Sequence, residues 1–468
     1  MADTAGSGES AAERIFTEVL GPGWRERVEV AGAGVLPAVF PVTELATAAI
    51  GAAGVAVSDW LLATAQPLAT PRVRVDRGRA GFWFASSLRP LGWRVPTAWD
   101  AVAGDYPAVD GWIRLHTNVP AHREAALRVL GVPADRACVT AAVARWEAAE
   151  LEACVVAEGG CAAKMRSTAE WESSAAGLSV ATEPLVRWTH TSGTRDSVPD
   201  PPAAGAALRP LHGIRVLDLT RVLAGPVATR FLAQLGAEVL RIDPVDWDEP
   251  GVTPDVMLGK RSARLNLRDP AHRARLLALL AEADILVHGY RPGALESLDL
   301  GSDVRERTRP GLIEVQLDAY GHSGPWAGRR GFDSLVQMSA GIAEAGMRVL
   351  GADAPIPLPV QALDHATGYL MAAAAMRGLT EQSRTGKGCR AALSLARTAR
   401  LLTEHEPTPN GERARDATDA DLDSRLEHTD WGPARRLQAP LDVDRVRFAS
   451  ALPARMLGTD RPFWREAP

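Results

Sequence analysis

The sequence predicts an α/β fold built on a doubly wound parallel sheet, with a second, smaller α/β domain. Two observations predict it. Short apolar runs suited to buried strands recur between residues 214 and 317, and helix-length segments separate them. Strands that alternate with helices at this spacing form right-handed βαβ units and a parallel sheet. With 468 residues, the chain is also long enough for two or three domains.

The elements of this central block follow one another closely. We predict strands at residues 214–219, 238–242, 284–287 and 311–317, and helices at residues 226–235, 271–283 and 364–378. The last helix is rich in alanine and begins at Asp364, a residue type that caps helix N-termini well. The turn after the first strand carries Ala224-Gly225-Pro226, and Pro226 suits the first turn of a helix.

Composition and charge narrow the class of protein. Apolar residues make up 46% and charged residues 23%, which is typical of globular proteins, and the net charge of −5 gives no reason to expect a nucleic-acid partner. The first thirteen residues are small and acidic, unlike a signal peptide, and we expect no membrane span. The four cysteines show neither CxxC pairs nor zinc-like spacing, so we expect no metal site and a reducing cytoplasm.

Four short blocks follow the Ala-Gly-Pro turn, at residues 259–262, 290–293, 331–334 and 359–369. Ligands of open α/β sheets bind at the carboxyl ends of the strands, where helix N-termini attract anions. Lys260, Arg261 and Arg291 come after predicted strands and could meet phosphates there. Taken singly, the turn could be an ordinary βα connection and the cations a solvated surface cluster.

Together and in this order, the blocks resemble the class III CoA-transferase family, the CaiB/BaiF type that includes formyl-CoA and carnitine CoA-transferases. The resemblance covers most of residues 40–400 and is specific over 211–402. It implies a Rossmann-like CoA-binding core, no permanently bound cofactor, and coenzyme A or acyl-CoA as substrate. The implied CoA contacts are Arg221, Leu223, Lys260, Arg261, Leu265, Arg268, Tyr290, Arg291 and Ala294. Ser297 stands where relatives often place an arginine, which puts a contact to the adenosine end in doubt.

Asp364 matches the catalytic aspartate of that family. The resemblance implies that its carboxylate attacks the donor thioester, forms a mixed anhydride and then an aspartyl-CoA thioester, and passes CoA to an acceptor carboxylic acid. The simpler alternative is that Asp364 only caps its helix.

Phe332 bears on a second alternative. The related acyl-CoA racemases carry histidine at this position, and an α-proton shuttle needs two bases, which phenylalanine cannot supply. His322 and His365 lie nearby in sequence and could substitute for it, although no motif supports this. A third alternative is a non-catalytic CoA-binding protein.

The order of the segments is unusual for the family. We predict the following division: 1–105, a diverged partial repeat of the large-domain region; 106–188, a small domain; 189–210, a linker; 211–402, the catalytic domain; 403–432, a charged linker; 433–468, a tail. Residues 43–47 echo 363–367, and 78–86 echo 386–394, with offsets that differ by 12 residues. Glu44 is then the counterpart of Asp364, and we expect it to be inert because its half lacks a nucleotide-binding core.

The small-domain-like segment precedes the core instead of following it. We expect residues 106–185 to fold as a compact α/β unit that faces the cleft around Asp364, within one chain or across a dimer. A homodimer or a single-chain pseudo-dimer would satisfy this arrangement. Acyl-CoA and a carboxylic acid acceptor are the expected small-molecule partners.

Overall fold

The computed structural model describes residues 11–34, 36–65, 69–194, 209–409 and 415–465. The α-helices in these ranges are α1 Ala11–Leu20, α2 Val42–Thr64, α3 Arg77–Ala85, α4 Pro120–Leu130, α5 Arg136–Val143, α6 Ala148–Ala157, α7 Thr168–Ser173, α8 Ala175–Ala181, α9 Ala224–Gln234, α10 Thr253–Val256, α11 Pro270–Ala281, α12 Ser302–Thr308, α13 Asp333–Ser339, α14 Ile342–Leu350, α15 Ala362–Thr385 and α16 Leu395–Thr403. The strands are β1 Val28–Ala31, β2 Val73–Asp76, β3 Leu88–Pro90, β4 Gly104–Ala108, β5 Gly111–Leu115, β6 Ala162–Lys164, β7 Arg187–Thr194, β8 Arg215–Leu219, β9 Glu238–Asp243, β10 Arg261–Arg264, β11 Ile285–His288, β12 Ile313–Asp318, β13 Lys387–Ser394, β14 Leu422–Thr429, β15 Gly432–Leu437 and β16 Leu441–Val443.

A seven-stranded sheet forms the centre of the fold, in the order β10-β9-β8-β11-β12-β13-β7. Every neighbouring pair is parallel except β13 and β7, which run antiparallel. The predicted strands and helices of residues 214–317 are all present, displaced by one or two residues at their ends. The prediction of an α/β chain with a large, mostly parallel sheet is confirmed.

Helices pack on both faces of this sheet because its strands are apolar on both sides. Val216 of β8 packs with α9 and α15 in one cluster of buried side chains, while its neighbour Leu217 packs with α11 in another. Helices α9 and α15 also pack on each other. The beginnings of these two helices lie close together, and they define the candidate site.

A separate α/β unit precedes the main sheet in sequence. Strands β4, β5 and β6 form an antiparallel sheet, and α4, α5 and α6 complete its core. A second apolar cluster joins this unit to α13: Cys161 and Ala163 pack against Leu335 and Met338. The small unit is therefore docked, within one chain, on the segment that leads into α15, whereas Trp171, Ala176 and Val180 of the predicted range 106–185 pack in the core of the main sheet.

The N-terminal part repeats the local topology of the main sheet. Strands β1 and β2 are parallel with α2 between them, as β12 and β13 are parallel with α15 between them. Both long helices start from an N-cap of similar conformation, with φ −75° and ψ 61° at Pro41 and φ −74° and ψ 64° at Gln361. The following helices, α3 and α16, are both capped by side chains, those of Asp76 and Ser394.

This topology corrects the predicted register of the repeat. Residues 78–86 lie mainly in helix α3, whereas residues 386–394 form strand β13, so the match predicted between them is wrong. Asp76 is the true counterpart of Ser394, and the offset there is 318 residues, against 320 at Pro41 and Gln361. The two copies therefore need no 12-residue insertion.

The first copy of the repeat comprises β1, α2 and β2, and the second comprises β12, α15 and β13. Each copy pairs with an antiparallel edge strand that follows the other copy in the sequence. Strand β7 follows the N-terminal copy and pairs with β13 of the second. Strand β16 follows the second copy and pairs with β2 of the first. Because α2 also packs along α15, the two copies are interlocked within one chain.

Residues predicted as linkers and tail carry structure. Residues 189–194 lie in β7, and residues 195–208 are outside the described residues. Residues 422–429 form β14, which pairs with β15, and the latter pairs with β3. Helix α2 is long and apolar enough to cross a membrane, yet 83% of its most apolar window is buried inside the protein.

Candidate active site

The turn between β8 and α9 forms one wall of the site. Gly225 is required there because a Cβ atom would lie 2.3 Å from the Thr220 side chain. Val222 adopts a φ of 66°, a region that β-branched residues rarely enter, and its N–H donates to a Glu249 carboxylate oxygen at 2.6 Å. Such strain at a turn is typical of a segment held for function. The turn brings the Ala224 N–H, at the start of α9, within hydrogen-bonding distance of Asp364.

Asp364 is the third residue of α15, and it lies two residues inside the helix start instead of serving as the N-cap. Its side chain is buried, with the residue 7% exposed. Gly368, one turn later, faces the start of α9, where a Cβ atom would lie 2.5 Å from the Ala224 carbonyl oxygen. The close approach of the two helices thus depends on glycine, and it holds the Asp364 carboxyl against the positive end of α9.

Asp333 lies directly beside Asp364. It is fully buried, and one carboxylate oxygen accepts the Asp364 backbone N–H at 2.9 Å. It also accepts from the Leu363 N–H and from the Gln337 amide. Burial raises the pKa of Asp333 to about 6, although the three donors oppose this. Burial and then the Asp333 charge raise the pKa of Asp364 well above its usual range.

The small unit contributes a histidine to the same place. The His116 ring stacks on Phe332 with 3.7 Å between ring centroids and 9° between the ring planes. The His122 ring meets Phe332 edge-on at 5.9 Å. Burial lowers the pKa of His116 to about 3, and burial together with Arg330 and Arg221 lowers that of His122 to about 4. Both imidazoles are therefore neutral at neutral pH.

Several predicted CoA contacts cluster at the carboxyl end of the sheet. The Arg221 guanidinium lies 4.7 Å from the Trp247 ring centroid and 5.2 Å from that of Tyr290. Two aromatic faces therefore hold this cation beside the β8–α9 turn. Leu223 is buried as the N-cap residue of α9. Arg291 is exposed in the loop after β11, and Ala294 follows it half-buried.

Other predicted contacts lie elsewhere. Lys260 is fully buried beneath α9, and its ammonium contacts Asp218 at 3.2 Å, Thr229 at 2.7 Å and the Pro226 carbonyl at 3.0 Å. Burial lowers the Lys260 pKa to about 8. This ammonium has no exposed surface, so it supports the turn from below, and the expected phosphate contact does not fit its position.

Arg261, Leu265 and Arg268 diverge from one another. The Arg261 guanidinium donates to the Phe463 carbonyl at 2.7 Å and to Glu238 at 3.1 Å, which fixes the C-terminal segment along β10. Leu265 is a core residue, 3% exposed, and Arg268 is exposed. Of the predicted CoA contacts, Arg221, Leu223 and Tyr290 thus lie at the β8–α9 turn, and Lys260 lies beneath it.

A cavity of about 340 Å³ opens beside Tyr290 and Arg291 on the outer face of β11, β12 and β13. Asp318, at the end of β12, lines it, and burial raises the Asp318 pKa to about 7. Asp364 is not among the described residues that line this cavity.

The two histidines considered as substitute bases are not placed alike. His365 is buried and stacks on Phe84 with 5.2 Å between centroids, on the side of α15 that faces α3. His322 contacts the Leu393 carbonyl oxygen at 3.0 Å and lines the outer cavity. Glu44, the counterpart of Asp364, is paired with Arg77 at 2.6 Å.

Sequence reasoning identified Asp364 but not its neighbours. Asp333 lies in the block at residues 331–334, directly after Phe332. An acidic residue in that block is a signal in the sequence that could have identified it. His116 and His122 had none, because the residues they meet are more than 200 positions away in the chain. The site is thus a pair of buried carboxyl groups at the helix starts, and the aromatic stack of His116 on Phe332 lies next to Asp333 in the chain.

The mostly parallel sheet carries a buried carboxyl group at a βα turn, which is the edge where open α/β folds bind their ligands. Comparison with known proteins shows what this part of the chain is similar to. Residues 211–431 match the family model of CoA-transferase family III. This segment is similar to CoA-transferase family III, in agreement with the resemblance that its motifs predict.

Named relatives match part of the chain. Succinyl-CoA:glutarate CoA-transferase of Mus musculus is 35% identical over 197 residues, which is 39% of this chain and 44% of that protein. An acyl-CoA transferase of Gibberella moniliformis is 29% identical over 298 residues, or 59% of this chain and 51% of that protein. A probable fatty acyl-CoA transferase of Mycobacterium tuberculosis is 34% identical over 192 residues, or 38% and 48%. The chain spans about half the length of these relatives.

Solved structures align over a similar share. A crystal structure of Rv3272 from M. tuberculosis is 33% identical and has a TM-score of 0.37, covering 41% of this chain and 54% of that one. A CAIB/BAIF family protein from Brucella suis is 24% identical with the same TM-score, covering 48% and 65%.

Proposed function

We propose that the protein is an acyl-CoA:carboxylate CoA-transferase whose nucleophile is Asp364. The observation that carries the proposal is the position of this carboxyl group, buried at the start of α15 and held by the Ala224 N–H at the start of α9. An aspartate that only caps its own helix would need neither a hydrogen bond from another helix nor a buried side chain. The family match over residues 211–431 supports the same assignment.

The reaction would proceed by exchange of one bond at a time. A carboxylate oxygen of Asp364 attacks the thioester carbonyl carbon, the C–S bond breaks, and CoA leaves as a thiolate with a mixed anhydride behind it. The thiolate then attacks the Asp364 carbonyl carbon and releases the donor's carboxylate, which leaves an aspartyl-CoA thioester. The acceptor carboxylate reverses both steps. No bond is hydrolysed, so the thioester free energy is kept.

The surroundings of Asp364 suit these steps. The Ala224 N–H and the positive end of α9 would stabilise the oxygen that gains charge in each attack. The stack of His116 on Phe332 would keep water from the anhydride, which hydrolysis would destroy. Arg221, beside the β8–α9 turn, and the exposed Arg291 would hold the CoA phosphates.

The architecture we propose is a doubly wound, Rossmann-like core in a single-chain pseudo-dimer. Six parallel strands in the order β10-β9-β8-β11-β12-β13, with helices on both faces, support the first part. The reciprocal edge strands β7 and β16 support the second, because each copy supplies what a partner subunit would otherwise supply. Sedimentation of the full chain at micromolar concentration should then give a monomer, and a stable dimer would contradict this part of the proposal.

The test of the nucleophile is intact mass after incubation with acyl-CoA donors, followed by hydroxylamine or borohydride trapping. The names of the relatives make succinyl-CoA, glutarate and malate the first donor and acceptors to try. Wild-type protein should gain a CoA adduct, and Asp364→Ala should lose both adduct and transfer while binding CoA within about tenfold of wild type. Glu44→Ala is the matched control and should turn over normally. Normal turnover by Asp364→Ala would refute the assignment.

The racemase alternative makes a different prediction. A racemase should exchange the α-proton of 2-methylacyl-CoA into deuterated water, whereas a transferase with Phe332 between His116 and His122 should not. Exchange that is lost on replacement of His116 or His122 would favour the racemase. CoA binding with neither exchange nor adduct formation would favour a non-catalytic protein.

A further inference from the structure

The start of α15 is capped by a residue from another element. The first N–H groups of a helix have no partner within it, and in most helices the N-cap side chain supplies one. Here the N-cap residue Gln361 makes no such bond, and Asp333 at the start of α13 accepts the N–H groups of Leu363 and Asp364 instead. Asp333 thus fixes the backbone on which the Asp364 side chain stands.

A carboxylate is a costly choice for this position. A fully buried charge is normally neutralised by a cation in contact, and none of the hydrogen bonds described for Asp333 comes from one. An asparagine oxygen could accept the same N–H groups without that cost. What a carboxylate adds is a negative charge beside the Asp364 carboxyl.

We propose that Asp333 is a positioning residue for the transfer reaction, which holds the first turn of α15 by accepting its N–H groups and sets the charge state of the Asp364 carboxyl through a shared negative charge. This inference rests on the proposed function of Asp364. Two close carboxyl groups titrate as a pair, and the second proton is lost at a higher pH than either group alone would need.

The distribution of donors indicates where the first charge resides. Asp333 accepts three N–H donors, and Asp364 accepts one. Hydrogen bonds to the charged form favour that form, so Asp333 ionises first and Asp364 keeps its proton longer. Among the described residues, Arg114 is close enough to Asp333 to lower its pKa, and His116, which stacks on the preceding Phe332, is neutral. The nucleophile is therefore more basic than an ordinary aspartate, and a more basic carboxylate is the better nucleophile once ionised.

The decisive variant is Asp333→Asn, which keeps an acceptor oxygen and removes the charge. Its pH profile of kcat/KM should have an acid limb at least about one pH unit below that of wild type, because the neighbouring charge no longer opposes ionisation of Asp364. Its maximal kcat should fall about 10- to 100-fold, since the carboxylate is less basic and its turn less firmly held. CoA affinity should change by less than about threefold.

Gly378→Ala is the control for a loss of stability alone. Gly378 lies on the same helix, far from the site, and a Cβ atom there would meet Ile313 and Cys389 side chains at 2.8 and 3.0 Å. This variant should lower the melting temperature without moving the acid limb. An acid limb in Asp333→Asn that coincides with the wild-type limb, with activity lost only in proportion to stability, would overturn the proposal.

A second measurement needs neither catalysis nor a stable Asp333 variant. With 13C-carboxyl aspartate in the full chain, the Asp333 resonance should show two coupled steps in wild type, and in Asp364→Asn a single step that coincides with the lower of the two. A single unshifted step in both proteins would overturn the coupling. If no acyl-CoA is turned over by wild type, the proposed function fails, and this titration still decides whether the pair exists.

Discussion

Gly368→Ala should separate the two helix starts that form the site. A Cβ atom at this position would lie 2.5 Å from the Ala224 carbonyl oxygen and 2.9 Å from Val227 Cβ. Ordinary contact begins at 3.4 Å, so α9 and α15 must move apart by about 0.9 Å. The Ala224 N–H belongs to the same residue and would move away from the Asp364 carboxyl with it.

Two measurable losses follow from that displacement. Overpacking of this kind costs about 1–3 kcal/mol of unfolding free energy. A misplacement of about 1 Å at reacting groups costs about 100-fold in rate, so kcat/KM should fall by that order. Urea unfolding measures the first loss and steady-state CoA transfer measures the second.

The control again is Gly378→Ala, because the atoms it meets are side chains that can move aside. The control should lose comparable stability and keep its activity within about threefold. Equal loss of activity in the two variants would refute the reasoning, since it would show that general packing and not the Ala224–Asp364 geometry limits the rate.

Three further changes test other parts of the structure. Lys260→Met should lower the unfolding free energy by about 3–5 kcal/mol in urea denaturation, because it leaves Asp218 buried without its cation. A stable variant whose CoA binding is weakened more than tenfold would instead indicate that Lys260 contacts the CoA phosphates. In the folded protein the pKa of Asp318 is about 7, above its unfolded value, so this group should lower the wild-type unfolding free energy by about 1.4 kcal/mol per pH unit as the pH rises from about 4 to 7. Asp318→Asn should remove that slope, and an unchanged slope in urea titrations at several pH values would contradict the prediction. Residues 206–468 expressed alone should bind dyes for exposed apolar surface and bind CoA poorly in calorimetry, because α2 and the small unit are missing; a well-behaved, active fragment would show that the N-terminal half is dispensable.

The central sheet could be predicted from the sequence because its strands are buried on both faces. Such strands are uninterrupted apolar runs, and the run at residues 214–219 differs from β8 by a single residue. The turn at Gly225 and the carboxylate at Asp364 were likewise readable, because glycine, proline and an acidic helix start are local signals.

The N-terminal half was harder to align with the rest. Its alanine-rich helix was recognised as the counterpart of α15, but the segment 78–86 was matched to a strand although it folds as α3. Small residues fit a helix and a buried strand equally well, so composition could not fix the register. Pairing of β2 with β1 and β16 fixes it, and those partners lie 45 and more than 360 residues away.

The sequence by itself determined the class of fold, the resemblance of residues 211–402 to CoA-transferase family III and the residue on which the chemistry is proposed to occur. Only the tertiary structure decided that Asp333 caps the turn beneath Asp364, that His116 of the small unit stacks on Phe332, and that Lys260 supports the turn from the core. The physical reason is the range of the forces involved. Helix starts and buried strands depend on neighbouring residues, whereas burial, charge coupling and ring stacking depend on groups that only folding brings together.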